Sequence, residues 1–268
     1  VLGSGSTGNA TVVEGGGMRV LVDAGLGPRQ LRERLGSAGV DPASIDVVLL
    51  SHEHGDHARG AVAFVARWGM PLGGTRGTWR AAGFGAEELP GYETIEPGGQ
   101  LCLGELVIRA VSVPHDAARP VAFVLSAAGV SLGHATDLGH LDPGLVRALR
   151  GCHALLLESN YDPAMLRDGP YPWALKERIL GPLGHLSNAE VGRYLERGMG
   201  EECRQVVLAH LSQKNNHSEL ALLEAEEALR RRGRTEVSLT VAAAEGTRWI
   251  TVRARSESHR EAGQLRLF

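Results

Sequence analysis

Residues 51–57 read Ser-His-Glu-His-Gly-Asp-His and follow directly on the apolar run 45–50, Ile-Asp-Val-Val-Leu-Leu. Four potential metal ligands, His52, His54, Asp56 and His57, therefore stand at the end of a short, β-rich segment that reads as a strand covered on both faces. From Asp56 onward apolar residues recur at helical spacing up to Gly69, a stop signal. The turn between strand and helix aims His52 and His54 at one point and Asp56 and His57 at a neighbouring one. Imidazole and carboxylate together suit zinc, manganese or iron, and this density of donors predicts two divalent ions. A zincin motif needs two histidines four apart on a continuous helix, which this segment lacks. A polar turn with solvated histidines is the alternative, and so many donors rarely crowd together without a shared ligand.

A chain of 268 residues can bury a substantial core. No run of about 18 apolar residues predicts a membrane span, and no secretory leader is read; the start at Val1 suggests that a few residues precede it. Cys102, Cys152 and Cys203 are widely spaced in or beside apolar segments, the pattern of buried free thiols in a cytoplasmic protein. A net charge of −3 gives no global attraction to nucleic acid. The basic run Arg230, Arg231, Arg232 and Arg234 reads as the solvated end of a helix.

Strands are expected at 11–14 and 18–23, flanking the hairpin signal Gly15-Gly16-Gly17, and a helix at 28–38. A second series of strands covers 101–103, 105–113, 120–127 and 130–134, the last two joined through Ala128-Gly129. Helices at 142–150, 173–180, 188–199 and 218–231 then alternate with strands at 154–158, 205–209, 236–243 and 247–252. Two strand-rich halves, each carrying helices, predict an α/β four-layer αββα sandwich: two mixed sheets packed face to face with helices outside. No linker interrupts 1–254, so a single domain is expected there, with 255–268 as a polar, flexible tail.

His115, Asp137 and His210 each lie just beyond an apolar run, where α/β sheets gather ligands. Singly, such residues are more often surface caps; beside a cluster still short of ligands they complete a dinuclear set. The division expected is His52, His54 and His115 on one ion and Asp56, His57 and His210 on the other, with Asp137 bridging.

Asp23 in Val-Asp-Ala-Gly, the His-x-His-x-Asp-His of 52–57, His115, Asp137 and His210 resemble the five ordered motifs of the metallo-β-lactamase superfamily. The resemblance implies the αββα fold with a dinuclear site at one edge, and makes Asp23 the residue that orients a ligand histidine from behind. Further phrases, 3–9, His115-Asp-Ala, Thr136-Asp-Leu-Gly, Glu158-Ser-Asn-Tyr-Asp, Gly184-His-Leu-Ser-Asn and 210–216, resemble the WalJ (YycJ) group of that superfamily, departing from it in little beyond the start and Pro114. That group is regarded as 5′→3′ exonucleases on double-stranded DNA, with a part in DNA repair. The resemblance implies a metal-dependent phosphodiesterase using a hydroxide held between the ions. Asp56 would orient it, and His185 or a bound water would protonate the leaving oxygen. Another hydrolase of this fold (a ribonuclease, cyclic phosphodiesterase, thioester or lactone hydrolase) or a non-catalytic metal- or nucleic-acid-binding module stays open.

Gly3-Ser-Gly-Ser-Thr-Gly8 fits Gly-x-Gly-x-x-Gly, but β-branched residues follow instead of a helix, so no nucleotide cofactor is expected. The segment is either a tight turn or a loop meeting a substrate phosphate, with Ser6 and Asn9 as contacts. Ser187, Asn188 and Asn216 are likewise either helix caps or substrate contacts.

Overall fold

The computed structural model describes residues 1–85, 89–244, 246, 249–253 and 264–267. Two glycines open it: Gly16 and Gly17 take φ of +59° and +75°, which lets β1 (Thr11–Gly15) turn tightly into antiparallel β2 (Met18–Val22). The helix α1 (Pro28–Ser37) leads to β3 (Val47–Leu49). The helix expected from Asp56 to Gly69 is broken into α2 (Gly55–Ala58) and α3 (Ala61–Trp68). The break lies at Gly60, whose amide donates to Ala24 O and where any Cβ would sit 2.1 Å from Leu26 O. In this half the short elements β4 (Leu72–Gly74), α4 (Arg76–Ala82) and β5 (Tyr92–Thr94) are additions to those expected from the sequence.

The second half contains β6 (Gln100–Leu103), β7 (Leu106–Ser112), β8 (Val121–Ala127), β9 (Val130–Ala135), α5 (Pro143–Leu149) and β10 (Ala154–Glu158). After them come α6 (Pro163–Asp168), α7 (Trp173–Leu180), α8 (Asn188–Arg197), β11 (Gln205–Ala209), α9 (Ser218–Arg232), β12 (Ser238–Val241), β13 (Ile250–Arg253) and β14 (Gln264–Leu267). Among the described residues these strands form two seven-stranded sheets, β13-β14-β1-β2-β3-β4-β5 and β12-β11-β10-β9-β8-β7-β6. Each is mixed: β2 to β5 and β9 to β12 run parallel, the rest antiparallel.

Alternation along the strands separates three apolar layers. Val20, Val22, Val47 and Leu49 of one sheet meet Ile108, Phe123, Leu125, Leu156 and Val207 of the other. Behind the first sheet, Leu31 and Leu35 of α1 and Phe64 and Val65 of α3 cover Leu21 and Val48. Behind the second, α5, α8 and α9 cover Leu155, Leu157, Val206 and Leu208. This is the four-layer αββα sandwich. β14 differs from the flexible tail expected over 255–268: Leu265 and Leu267 are fully buried, and the strand lies between β13 and β1. The remainder of that tail, 255–263 and 268, lies outside the described residues, as do 247 and 248 of the expected strand at 247–252.

Cys152 and Cys203 are buried, whereas Cys102 is exposed on the edge strand β6, a correction to the buried expectation. The arginines closing α9 are ion-paired: Arg231 with Glu196, and Arg232 and Arg234 with Glu201. Among the described residues no helix is long and apolar enough to cross a membrane.

Candidate metal centre

Because β2 and β3 run parallel, and β7, β9, β10 and β11 share one direction, the segments leaving them emerge at a common end. Asp23 leaves β2; Ser51 and His52 leave β3; His115, Asp137 and His210 follow β7, β9 and β11; Glu158 closes β10. Asp23, Asp137 and His210 turn away with φ of +60°, +59° and +56°, a left-handed backbone that L residues seldom adopt. Such strain persists where the surroundings over-determine the turn.

The convergence is dense. His52, His54 and His115 offer donor atoms all within 4.8 Å of one another, and so do Asp56, His57 and His210; His52, His57 and Asp137 form a third such group. The Asp137 carboxylate lies between these sets, with Oδ2 3.0 Å from His57 Nε2 and Oδ1 3.7 Å from His115 Nε2.

Each buried ring is fixed from behind through one nitrogen. His57 Nδ1 donates to Asp23 Oδ2 at 2.8 Å. Ser51 Oγ donates to Asp23 Oδ2 and lies 3.0 Å from His52 Nδ1, so it accepts from that ring. His115 Nδ1 donates to Gly184 O at 3.1 Å, and His210 Nδ1 to Glu158 Oε1 at 2.9 Å. The opposite nitrogens turn inward, and His52 Nε2, His210 Nε2 and Asp137 Oδ2 are buried without a hydrogen-bond partner. Burying polar atoms unsatisfied costs about 1–3 kcal/mol each. Orphaned imidazole and carboxylate donors held in fixed orientation are what a divalent cation requires, so the residues fit one.

The electrostatics agree. Burial opposes charge on His57 and His210, but Asp137 with Asp23, and Asp137 with Asp56 and Glu158, outweigh it; His57 is held well above the usual histidine range and His210 at about 10. Burial also opposes ionisation of Glu158 and Asp137. The His185 and His210 rings nevertheless bring Glu158 down to about 2, and His210 and His57 keep Asp137 well below the usual carboxylate range. Burial and neighbouring His57 push His52 the other way, well below its usual value. The pocket is thus built to hold positive charge among ionised carboxylates.

The sequence matches the β-lactamase superfamily domain over residues 18–211. The chain belongs to the β-lactamase superfamily. Within the superfamily it is 33% identical over 225 residues to the exodeoxyribonuclease WalJ of Streptococcus pneumoniae serotype 2 (strain D39 / NCTC 7466), covering 82% of this chain and 84% of that one. It is 31% identical over 235 residues to the exodeoxyribonuclease YycJ of Bacillus anthracis, covering 87% and 89%. The metallo-β-lactamase-fold protein YhfI from Bacillus subtilis superposes with a TM-score of 0.71 at 17% identity, covering 92% and 96%.

The other candidate residues of this superfamily chain fall into three groups. Exposed Ser6 and half-buried His185 line the same cleft, of about 250 Å³, as His54, Asp56, His115, Asp137 and His210. Asn9 is buried behind it: its Nδ2 donates to Asp56 Oδ2 at 3.4 Å and lies 2.9 Å from His57 Nε2. The glycine-rich loop turns tightly, with the amides of Gly5, Gly8 and Asn9 bonded to Asn9 Oδ1, Gly5 O and Asp56 O, and it presents Ser6 to the cleft. Ser187, Asn188 and Asn216 do not reach the cleft. Ser187 and Glu190 form a capping box on α8. The amides of Asn188 and Asn216 pair with each other and with Ser159 and Asn160.

Glu158 appears in the sequence analysis only within the phrase Glu158-Ser-Asn-Tyr-Asp, with no role of its own, and the structure places it directly behind the site. Fully buried, it accepts from His185 Nδ1 at 2.8 Å, from His210 Nδ1, and from the amides of Leu138 and Leu186. Its signal was the one that found His115, Asp137 and His210, an ionisable residue at the end of an apolar strand.

Proposed function

We propose that the chain is a metal-dependent exodeoxyribonuclease that hydrolyses duplex DNA from a 5′ end with two divalent cations. The observation that carries this reading is the pair of donor triads with the Asp137 carboxylate between them, at the floor of an open cleft. The DNA substrate rests on the two relatives named exodeoxyribonucleases. His52, His54 and His115 would hold one ion, Asp56, His57 and His210 the other, and Asp137 would serve both. Bound there, the cations supply Lewis acidity and lower the pKa of water, which accounts for a nucleophile at neutral pH without serine or cysteine.

The chain's own residues do the rest. Asp56, steadied by Asn9 and 3.5 Å from His210 Nε2, has a partly exposed carboxylate that accepts a hydrogen bond from the attacking water and aligns it with phosphorus. His185 lines the cleft with Nδ1 committed to Glu158; burial opposes its charge, and Glu158 outweighs that and raises it. The transferable proton therefore sits on Nε2, where His185 acts as general acid toward the leaving oxygen.

Incubation with Mn²⁺ or Zn²⁺ and 5′-phosphorylated duplex DNA, RNA, bis-p-nitrophenyl phosphate or a thioester tests the reading. Degradation of the duplex from its 5′ end, abolished by EDTA and by Asp56→Ala, is expected; preference for RNA or the thioester overturns it. His185→Ala should lower kcat by roughly 10²-fold with metal content intact, and unchanged turnover removes His185 from the chemistry.

A further inference from the structure

The cleft presents an electrostatic problem that its metal-binding residues do not solve. Its lining includes Asp56, Asp116 and Asp137, and among the described lining residues Arg178 is the one arginine or lysine. Arg178 lies on α7, whose stretch of wall also includes Tyr171, Leu175 and Ile179. This wall is anchored close to the donors. Ile179 O accepts from His185 N, Gly184 O accepts from His115 Nδ1, and the buried Lys176 ties α7 back to Arg167 O at 2.6 Å.

The guanidinium is exposed but not loose. Its side chain is 60% exposed, yet Nε donates to Asp116 Oδ2 at 2.6 Å. Asp116 directly follows His115, and its Oδ1 is buried without a hydrogen-bond partner, 3.3 Å from His115 Nε2. One edge of the guanidinium is thus tethered to the segment carrying a metal-donor histidine. The Nη groups have no hydrogen-bond partner among the described residues. A planar fork with one edge fixed and the other free matches the two oxygens of a phosphate, and a tethered arginine loses less freedom on binding than a loose one. An ion pair that served stability alone would contribute little at this exposure.

We propose that Arg178 binds a non-reacting phosphate of the substrate strand, with Asp116 as its positioning tether, so that the pair selects phosphodiester polymers over small esters. This inference rests on the phosphodiesterase reading above and assigns its polymer specificity to one side chain.

The test uses the full chain loaded with Mn²⁺, with 5′-phosphorylated duplex at several salt concentrations and bis-p-nitrophenyl phosphate as substrates. Arg178→Ala should raise KM for the duplex by roughly tenfold or more, change kcat by less than about threefold, and reduce the slope of log KM against log salt by about one. The loss in kcat/KM on the duplex should exceed that on the small ester by about fivefold or more, because the ester has no second phosphate. Arg178→Lys, which keeps the charge but not the fork, should fall between wild type and alanine. Asp116→Asn should raise KM in the same direction by about threefold with kcat held, and unchanged KM removes it as tether. Arg193→Ala, an exposed arginine on α8 outside the cleft, should match wild type. Equal losses on both substrates for Arg178→Ala, or an unchanged KM and salt slope, overturn the inference alone. A wild-type protein that cleaves the small ester but no nucleic acid overturns the exodeoxyribonuclease reading itself.

Discussion

Glu158 links the candidate metal pocket to His185, the proposed proton donor. One carboxylate oxygen accepts from both His185 and His210, and the other from two backbone amides, so neither can turn without breaking a bond. Glu158→Gln keeps the volume but puts an NH₂ group where an acceptor is needed. Metal affinity should fall by about 10–100-fold and kcat by roughly 10²-fold, read by chelator competition and steady-state kinetics; wild-type values for both would refute the coupling. In the sequence this residue is only part of a motif phrase, without a role of its own, for a physical reason. A glutamate closing Ala-Leu-Leu-Leu-Glu looks like any strand reaching solvent, and only its central place between β9 and β11 buries it.

At α8 the decision between cap and substrate contact falls to the cap. Ser187 accepts from Glu190 N at 3.2 Å and Glu190 Oε2 accepts from Ser187 N at 2.9 Å, which satisfies two amide donors at the helix start. Ser187→Ala should lower stability by about 1 kcal/mol in denaturant titration and leave KM for DNA within about twofold; a large rise in KM would return Ser187 to the substrate surface. Helices with strong end signals were legible: α7 runs Trp173–Leu180 as its sequence predicts, and α9 ends one residue beyond expectation, before Gly233. The candidate donor residues were legible as a set: each of His115, Asp137 and His210 alone reads as a surface cap, but the crowded 52–57 turn called for partners at the same sheet end. β4 and β5 were not, because three-residue strands such as Leu72–Gly74 are too short to show a period. Their order comes from parallel pairing onto β3, a long-range fact.

The two sheets are completed by residues distant in sequence, and β14 shows how far this reaches. Leu265 packs against Gly15, where a Cβ would come within 2.4 Å of its side chain, and contributes to the layer between the sheets. Leu265→Ala should remove about 3 kcal/mol and lower Tm by roughly 6–12 °C with metal content retained below the transition; an unchanged Tm would show the strand to be dispensable. The left-handed turns at Asp23, Asp137 and His210 bear on the same reserve of stability. Each imposes on an L side chain a cost of about 1 kcal/mol that glycine would largely avoid. Glycine at any one of them would recover that cost but strand a buried partner: His57 and Ser51 behind Asp23, His57 beside Asp137, or Glu158 behind His210. Only a chain that gave up the whole pocket would therefore gain heat resistance. The hottest-melting version of this fold and its working version are different sequences.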